Sequence, residues 1–333
     1  MKLGAIIEWT DDLAAFRDVV RLTDELGYDV IGVGDTPARA YELFVSLAVA
    51  AQESRNATLT TMVTTPFLRH PVTTATAMST LHELTGGRVR LSLGNGGSTR
   101  RVVGRSPVGS PRQLFDYLRA VREILNGGTA EVDGYTTEAL TRVHPMPIHV
   151  AADYPQSLRL AGETADGVIT TVGMSPEHVA RKIALIREGA ERAGRDPDAI
   201  EIWGFSFISI HDTREEAYGE IAAALASDVA LRLKAPHMRS LVPAGLLPAL
   251  EEMERRYDVW DFAHGGKNAR LLEELGLTEL AAGFTGVAGT VPEVAEHLRT
   301  LESTGVTGML AALPVLADPA GTLRGLRKAA DAR

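Results

Sequence analysis

Residues 62–97 read MVTTPFLRHPVTTATAMSTLHELTGGRVRLSLGNGG, and this stretch predicts two strands joined by a helix. The apolar run 58–64 ends in a threonine-rich corner, Pro71 then opens a helical pattern, and Gly86 stops it before a second apolar run, 89–94. Two strands joined through a helix pair in parallel with a right-handed crossover. The small and flexible residues where both strands end form either ordinary turns or part of a pocket for a flat, phosphate-bearing cofactor.

The same alternation of short apolar runs and helical patterns continues along the chain. Eight candidate strands stand out, and each is followed by a segment with helical spacing. In chain order these runs are 3–9, 28–34, 58–64, 89–94, 147–152, 167–171, 200–210 and 307–313. This order predicts an α/β fold, the (β/α)8 TIM barrel, with an open doubly wound sheet as the alternative.

Several helices also carry a capping signal at their first residues. Ser110-Pro111-Arg112-Gln113 combines a helix cap, a proline at the first helical position and the glutamine of a capping box. The same box recurs at Thr213 with Glu216 and at Thr290 with Glu293. These signals predict helix starts at fixed positions.

No change of composition divides the chain, so we expect one barrel domain over residues 1–333. The longest connection, 233–289, lies between the seventh and eighth predicted strands and is expected to be a helical insertion or lid. Its aromatic residues Tyr257, Trp260 and Phe262 either form the core of that lid or contact a hydrophobic substrate. An interface element or a partly disordered insert is the alternative.

Composition excludes several classes of function. A net charge of −9 without a basic block argues against a nucleic-acid surface. The absence of cysteine excludes disulfides and cysteine nucleophiles and fits the cytoplasm. None of the nine histidines falls in HExxH or a ligand pair, so no metal site is predicted. The first residues, MKLGAIIEW, read as a strand rather than a signal peptide, and no apolar run reaches the roughly 18 residues of a membrane span.

The residues just past each predicted strand are the candidate site, because loops after the strands form the active site of such barrels. They include Glu8, Asp35, Thr64, Asn95 and Asp153, within a ring of small and hydroxyl side chains. The ring contains neither a nucleophile beside a base nor a metal-ligand cluster. This composition is typical of an enzyme whose cofactor performs the chemistry.

The cluster Gly94-Asn95-Gly96-Gly97 resembles part of a dinucleotide-binding fingerprint, but Thr99 stands where the third glycine belongs. The residues that follow, 100–104, are a poor helix start, so a Rossmann site is not predicted. The cluster is either a tight turn or a place where missing side chains let a ring system lie against the backbone.

A different segment has the features of an anion-binding site. Residues 152–157, ADYPQS, end the fifth predicted strand and open a helix, whose first N–H groups can bind a phosphate. Thr171 and Val172 end the next strand and can complete that site. Asp153 is unfavourable beside a phosphate unless its carboxylate points away.

These motifs together resemble a known family. HELTGGRVRLSLGNGG, after FLRHPVTTATAMSTL, resembles the bacterial luciferase-like superfamily of flavin and deazaflavin enzymes, and the stretch 147–202 extends the resemblance. It is similar in particular to the methylenetetrahydromethanopterin reductase branch, which uses coenzyme F420. The resemblance runs from residue 1 to about 210 and returns at 288–310, AGTVPEVAEHLRTLESTGVTGML. It implies a TIM barrel, in agreement with the strand count.

The resemblance also implies roles for individual residues. Asp35 matches an acidic residue beside the deazaflavin ring, and the Met62–Val63 bond matches a non-prolyl cis peptide behind it. The stretch 95–97 matches the loop along the ring, while 152–157 matches the phosphate site. The cofactor-binding residues implied are Asp35, Met62, Val63, Thr64, Asn95, Gly96, Gly97, Ala152, Asp153, Gln156, Ser157, Thr171 and Val172.

Three further residues near these motifs are expected to have structural roles. Arg69 and His70 match a stretch that mainly starts a helix. Arg88 is expected to brace the barrel.

The chain departs from the family pattern at two places. Asp35 is followed by Thr36, where many deazaflavin relatives have histidine. The reductase has a glutamate in its first strand, where this chain has Ile6, and Glu8 lies two residues on. Glu8 either substitutes for that glutamate nearer the mouth or is a salt-bridged rim residue. Methanopterin is therefore not the expected substrate.

The resemblance implies a coenzyme F420-dependent oxidoreductase that passes a hydride between the deazaflavin and a small organic substrate. Asp35 or Glu8 would assist proton transfer as the catalytic residue. The alternative is an FMN-dependent luciferase-like monooxygenase that uses reduced flavin and oxygen. A third possibility is a non-catalytic, flavin-binding barrel. A homodimer is expected, because barrels of this family pair through their helices.

Overall fold

The computed structural model describes residues 1–37, 40–104, 110–258, 261, 265–313 and 316–333. These residues form two compact units. Unit A comprises Lys2–Thr170 and Lys182–Trp203, and unit B comprises Met1, Thr171–Arg181 and Gly204–Arg333. The aromatic residues Trp260 and Phe262 of the expected lid lie outside the described residues. One domain over the whole chain stays a prediction.

Every predicted strand is present, and three short strands were not predicted. The strands are β1 (Lys2–Ile7), β2 (Val30–Val33), β3 (Thr58–Thr61), β4 (Val89–Leu93), β5 (Glu131–Val132), β6 (Tyr135–Thr136), β7 (Ile148–Ala151), β8 (Gly167–Thr171), β9 (Glu201–Ile210), β10 (Gly286–Gly289) and β11 (Gly308–Ala312). The strands β5 and β6 pair with each other as a small antiparallel hairpin. The unpredicted β10 pairs in parallel with β9.

Helices follow the strands in the expected alternation. They are α1 (Leu13–Glu25), α2 (Leu43–Glu53), α3 (Pro71–Thr85), α4 (Gly97–Val102), α5 (Pro111–Leu125), α6 (Pro155–Thr164), α7 (Pro176–Arg192), α8 (Arg214–Arg232), α9 (Pro236–Arg239), α10 (Leu247–Arg256), α11 (Lys267–Glu274), α12 (Thr278–Thr285), α13 (Val291–Ser303) and α14 (Pro319–Asp331). None of the described helices is long and apolar enough to cross a membrane. The short α4 corrects one expectation, because residues after the glycine cluster do form a helix.

The predicted caps hold the helix starts. The Ser110 hydroxyl accepts a hydrogen bond from the Gln113 N–H at 3.5 Å, at the first turn of α5. Thr290 and Glu293 form the reciprocal capping box of α13. His70 caps α3, because its ring Nδ1 accepts from the Val72 N–H at 3.2 Å. These caps satisfy backbone donors that have no partner inside the helix.

The sheet of unit A positions the candidate site. Its strands β1, β2, β3, β4, β7 and β8 lie side by side in that order and pair in parallel. Buried side chains dominate these strands, as expected where a parallel sheet is covered on both faces. The register brings the strand ends level, with Ile7 opposite Val33 and Val33 opposite Thr61. Residues that follow the strands therefore meet at one edge, the carboxyl edge, and the strands begin at the opposite amino edge.

Two charged residues fasten the amino edge of unit A. Asp24 is 7% exposed, and its carboxylate accepts hydrogen bonds from the Ser54 hydroxyl, from the side-chain amide of Asn56 and from three consecutive backbone N–H groups, 55–57. Arg88 donates to the carbonyls of Ala57 at 2.5 Å and Ser54 at 3.0 Å. Both ionic groups hold the same turn between α2 and β3. The predicted bracing role of Arg88 is confirmed.

Unit B is organised around an apolar helical core. The helices α8, α10, α11 and α12 share a buried cluster that includes Leu225, Leu250 and Leu272. Tyr257 packs against this cluster and is partly buried. The described part of segment 233–289 is thus largely helical before it enters β10. Its action as a lid stays a prediction.

Candidate active site

The carboxyl edge of unit A brings together side chains that are far apart in the chain. Glu8 follows β1, Asp35 follows β2, Thr64 follows β3, Asn95 follows β4 and Asp153 follows β7. The strands are parallel and their ends are level, so these residues share one edge. The edge contains carboxylates, hydroxyls and an amide, as the sequence predicted.

Asp35 is the most firmly held carboxylate of this edge. It is 5% exposed, and its Oδ2 accepts from the Thr64 hydroxyl at 2.7 Å and from Arg69 Nη1 at 2.6 Å. Arg69 Nη2 donates to the other oxygen at 3.2 Å, which completes a fork-shaped ion pair. Burial by itself would lower the pKa of Arg69, but the bond to Asp35 outweighs it and raises that pKa. The fork and the hydroxyl fix the orientation of the Asp35 carboxylate.

Arg69 connects this carboxylate to a second one. Its Nη2 also donates to Glu42 Oε1 at 2.5 Å, and its guanidinium lies 5.0 Å from the Phe44 ring centre. The stretch does start α3, with His70 as the cap and Pro71 as the first helical residue. Arg69 has a further role that was not expected, because its guanidinium turns toward Asp35. The sequence did offer a signal for this contact. Arg69 lies in the loop after β3, next to the strand that Asp35 follows, and a buried carboxylate needs a partner.

The corner after β3 has the geometry that the resemblance implied. The Met62–Val63 peptide bond is cis. Beyond it the Thr64 N–H donates to the Ser92 carbonyl at 3.1 Å, and the Gly94 N–H donates to the Thr64 carbonyl at 3.0 Å. The corner therefore lies directly against the end of β4.

The three glycines after β4 differ in their surroundings. A Cβ at Gly94 would overlap the Val63 side chain, and a Cβ at Gly96 would overlap Thr65. Gly96 also has a φ of 62°, which favours glycine. At Gly97, by contrast, an added Cβ would meet no described atom within 4 Å. The first two glycines permit loop contact, while Gly97 borders open space.

Two polar atoms beside these glycines are buried without a hydrogen-bond partner among the described residues. They are the Thr65 hydroxyl oxygen and the side-chain carbonyl oxygen of Asn95. A buried polar group without a partner costs about 1–3 kcal/mol, so such atoms point to a ligand or an ordered water. A ring with a polar edge fits this place. Thr65 belongs to the ring of strand-end residues that the sequence indicates, but only Asn95 was expected to bind the cofactor.

Glu8 lies against Gly34, the residue that follows the neighbouring strand β2. A Cβ at Gly34 would overlap the Glu8 carboxylate, so Glu8 lies against the backbone just before Asp35. The next residue, Trp9, is held by Tyr41 and Phe16, with ring centres 4.6 and 6.0 Å away. The chain next to Glu8 is therefore anchored by an aromatic cluster.

The segment 152–157 follows β7 and starts α6 as predicted. The Ala152 N–H donates to the Ile169 carbonyl at 2.9 Å, which extends the pairing of β7 with β8. The Ser157 hydroxyl accepts from the Tyr154 N–H at 3.3 Å and donates to the Tyr154 carbonyl at 2.9 Å. Gln156 is exposed. Ser157 thus caps the helix, and Gln156 is available to a ligand.

Asp153 carries no unbalanced charge. Its Oδ1 accepts from the Thr170 hydroxyl at 2.9 Å and from Lys182 Nζ at 2.8 Å. This ion pair removes the electrostatic objection to an anion beside Asp153. Lys182 belongs to α7, and no local motif in the sequence indicated it.

Thr171 and Val172 belong to unit B. The Thr171 hydroxyl accepts from Arg232 Nη1 at 2.8 Å, and Arg232 Nε pairs with Asp228 at 2.9 Å. Val172 is fully buried, and its N–H donates to the Phe205 carbonyl at 2.9 Å. Val172 therefore continues the sheet, whereas Thr171 stands beside a cation that the sequence did not indicate.

Comparisons with known proteins agree with this arrangement. A family profile described as luciferase-like monooxygenase matches residues 2–308. The chain is 25% identical over 321 residues to a 5,10-methylenetetrahydromethanopterin reductase of Methanolobus tindarius, covering 95% of each protein. It is 30% identical over 223 residues to an F420-dependent glucose-6-phosphate dehydrogenase of Nakamurella multipartita, covering 60% of this chain and 65% of that protein.

A solved structure shows the fold. The coenzyme F420-dependent tetrahydromethanopterin reductase from Methanopyrus kandleri superimposes with a TM-score of 0.82 at 20% identity, covering 98% of this chain and 97% of that one. The fold is the (β/α)8 TIM barrel of the luciferase-like type, as predicted, and the open doubly wound sheet was the wrong alternative. Since the family profile spans most of its length, the chain belongs to the luciferase-like monooxygenase family.

Proposed function

We propose that this protein is a coenzyme F420-dependent oxidoreductase that passes a hydride between the deazaflavin and a small organic substrate. One observation carries the proposal. Two polar atoms without a partner among the described residues, of Thr65 and Asn95, lie in the corner after β3 and the loop after β4, at the edge where a barrel holds its ligands. A flat ring with polar edge atoms would pair with both.

The similar proteins support the choice of cofactor. The reductase of known structure and the glucose-6-phosphate dehydrogenase are both named as coenzyme F420-dependent. In this chain the ring would be held by the corner 62–65 and the loop 95–97. The phosphate-bearing tail would be held by the start of α6, with Lys182 as a nearby cation.

The two carboxylates at the carboxyl edge would divide the work of the site. The bound coenzyme would supply the hydride chemistry, and the protein would orient the reactants and manage a proton. Asp35 is engaged by the Arg69 fork and the Thr64 hydroxyl, so it would serve as a fixed negative charge. Glu8, against the Gly34 backbone, would then donate or accept the proton.

The substrate class follows from the hydride chemistry and from the departures of this chain. A hydride acceptor needs a polarised double bond, so enones, imines and carbonyl compounds are the first compounds to screen. Methanopterin remains an unexpected substrate, because Ile6 stands at the place of the reductase glutamate.

The alternative is a monooxygenase that uses reduced FMN and oxygen. The family description, luciferase-like monooxygenase, is the observation that favours it. Parallel titration of the purified protein with coenzyme F420 and with FMN separates the two functions. Tight binding of the deazaflavin alone supports the proposal, and binding of FMN alone overturns it.

Substitution of Gly97 tests the place of the ring. Gly97→Val should weaken binding of coenzyme F420 at least tenfold, because the new side chain would occupy the open space beside the ring. Fluorescence titration measures the affinity. Gly219→Val is the matched control, since Gly219 is exposed on α8 and also has no described atom near an added Cβ. Equal affinity of both variants would remove the 95–97 loop from the site.

We also propose that the protein is a cytoplasmic homodimer. The exposed apolar side chains Val45 of α2 and Leu84 of α3, 56% and 58% exposed, offer an apolar surface on barrel helices. Light scattering after size-exclusion chromatography measures the mass directly. A monomer at micromolar concentration would contradict the proposal.

A further inference from the structure

A second cavity of unit A lies at the amino edge, where the strands begin. Its volume is about 700 Å³, within the range of small-molecule sites. Its lining includes Arg90 of β4, His149 of β7 and the first residues of β9, Glu201 and Trp203. The candidate active site at the carboxyl edge uses none of these residues.

Arg90 is the unusual member of this lining. It is 4% exposed, and its Nε and Nη2 have no hydrogen-bond partner among the described residues. Its Nη1 lies 3.6 Å from Glu201 Oε2, an ion-pair distance rather than a good hydrogen bond. Burial lowers the pKa of Arg90 to about 10, and the charge of Glu201 offsets this only in part. A buried guanidinium normally has its donors paired.

The one nearby carboxylate is shared among several donors. Glu201 accepts from Lys2 Nζ at 2.5 Å and from Trp203 Nε1 at 3.0 Å, and His149 Nε2 lies 3.7 Å away. Burial, followed by the charge of Arg90, lowers the pKa of His149 to about 3, so the ring is neutral. Glu201 thus divides its two oxygens among Lys2, Trp203 and the ion pair with Arg90.

The other acids of this edge are otherwise engaged. Asp166 pairs with Arg122 at 2.9 Å and accepts from the Ile148 N–H at 2.8 Å. Asp29 accepts from the Leu3 N–H at 2.8 Å and is exposed. Within the described part of the chain neither carboxylate bonds to Arg90. Its Nε and Nη2 donors therefore have no acceptor there.

We propose that the amino-edge cavity binds a small oxyanion, a phosphate or a carboxylate, on the guanidinium of Arg90. The Trp203 ring lies 4.5 Å from the Arg90 guanidinium and fixes its plane. The Nε and Nη2 of one guanidinium form the fork that matches two oxygens of a phosphate or carboxylate. The size of the cavity leaves room for an organic group attached to the anion.

The test measures binding of inorganic phosphate to the full-length apo-protein. Calorimetric titration and thermal melting are run with phosphate, with acetate and with chloride at equal ionic strength. Phosphate or acetate should bind with a measurable heat and should raise the melting temperature above the chloride value. The anion that binds more tightly distinguishes an organic phosphate from an organic acid as the ligand.

Substitutions of Arg90 test where the anion binds. Arg90→Gln and Arg90→Lys should each weaken anion binding at least tenfold, because glutamine lacks the charge and lysine lacks the fork. Arg88→Gln is the matched control, an arginine of the same edge whose donors go to carbonyls, and it should bind as the wild type does.

Two results would overturn the proposal. They are equal behaviour of the wild type in phosphate, acetate and chloride, and unchanged affinity in a folded Arg90 variant. If neither Arg90 variant folds, a crystal structure of the wild type grown in phosphate decides instead. Density for the anion within hydrogen-bond distance of Arg90 supports the proposal. Absence of such density contradicts it.

Discussion

Asp24 and Asp35 are both buried in unit A, at opposite edges of the same sheet, and they are held in different ways. Asp24 is 7% exposed and accepts from backbone N–H groups and neutral side chains. Asp35 is 5% exposed and depends on a hydroxyl and an arginine. Backbone donors move only when the fold moves, whereas side-chain donors can rearrange. The difference predicts that Asp24 serves stability and that Asp35 serves function.

The largest effect is expected on the free energy of unfolding, when the Asp24 carboxylate is removed. Asp24→Ala should cost about 3 kcal/mol of unfolding free energy, because it leaves several buried donors unpaired. Urea denaturation measures the loss. Asp18→Ala on the exposed side of α1 is the control and should change stability by less than about 0.5 kcal/mol. A change of similar size in both variants would refute the assignment of Asp24.

Asp35→Ala should act on turnover more than on stability. We expect a loss of about hundredfold in turnover, or about 3 kcal/mol of transition-state stabilisation, with a smaller change in unfolding free energy. Arg69 keeps its bond to Glu42, which limits the structural damage. The measurement is steady-state kinetics with coenzyme F420, and Glu42→Gln is the control. Normal turnover per folded molecule with collapsed stability would make Asp35 structural.

The hydrogen bonds of Asp24 should also make the stability of the protein depend on pH. Burial alone would raise the pKa of Asp24, but bonds from the Ala57 N–H and the Ser54 hydroxyl lower it from 3.8 to about 2. Its stabilisation is therefore complete above about pH 4 and is lost as the pH falls toward 2, by about 2 kcal/mol. Urea midpoints of the wild type and Asp24→Asn between pH 2 and 6 should converge in acid. Parallel curves would remove Asp24 from the acid response.

The smallest effect should come from the ion pair beside the expected phosphate region. Lys182→Gln should weaken the binding of coenzyme F420 about threefold to tenfold, because it removes the cation paired with Asp153 near the expected phosphate. Affinity is read from fluorescence titration at two salt concentrations. Lys328→Gln on the exposed face of α14 is the control. Identical affinities would place the phosphate away from Asp153.

The strands and helix starts could be predicted because their causes are local. Apolar runs, prolines at first helical positions and capping residues such as Ser110 act within a few residues of the chain. The hairpin of β5 and β6 had a local signal too, since Asp133 and Gly134 both take positive φ, 52° and 84°, as Asp-Gly turns do. That signal was overlooked.

The side-chain partners of the candidate site could not be predicted in the same way. Arg69 with Asp35 and Lys182 with Asp153 join residues that meet only when strands and helices pack. The partnerless Thr65 hydroxyl likewise becomes visible only once its neighbours are placed. Sequence periodicity determines which face a residue takes, but it does not determine which distant side chain it meets.

The close contacts of Gly94 with Val63 and of Gly96 with Thr65 bear on attempts to redesign this protein. Residues in such contact show strong epistasis, because a larger side chain on one loop is tolerated only if its partner shrinks. A directed-evolution library should therefore vary positions 63 and 94 as one pair and 65 and 96 as another. Scanning either loop alone would recover mostly inactive clones and would understate the range of substrates that the scaffold can accept.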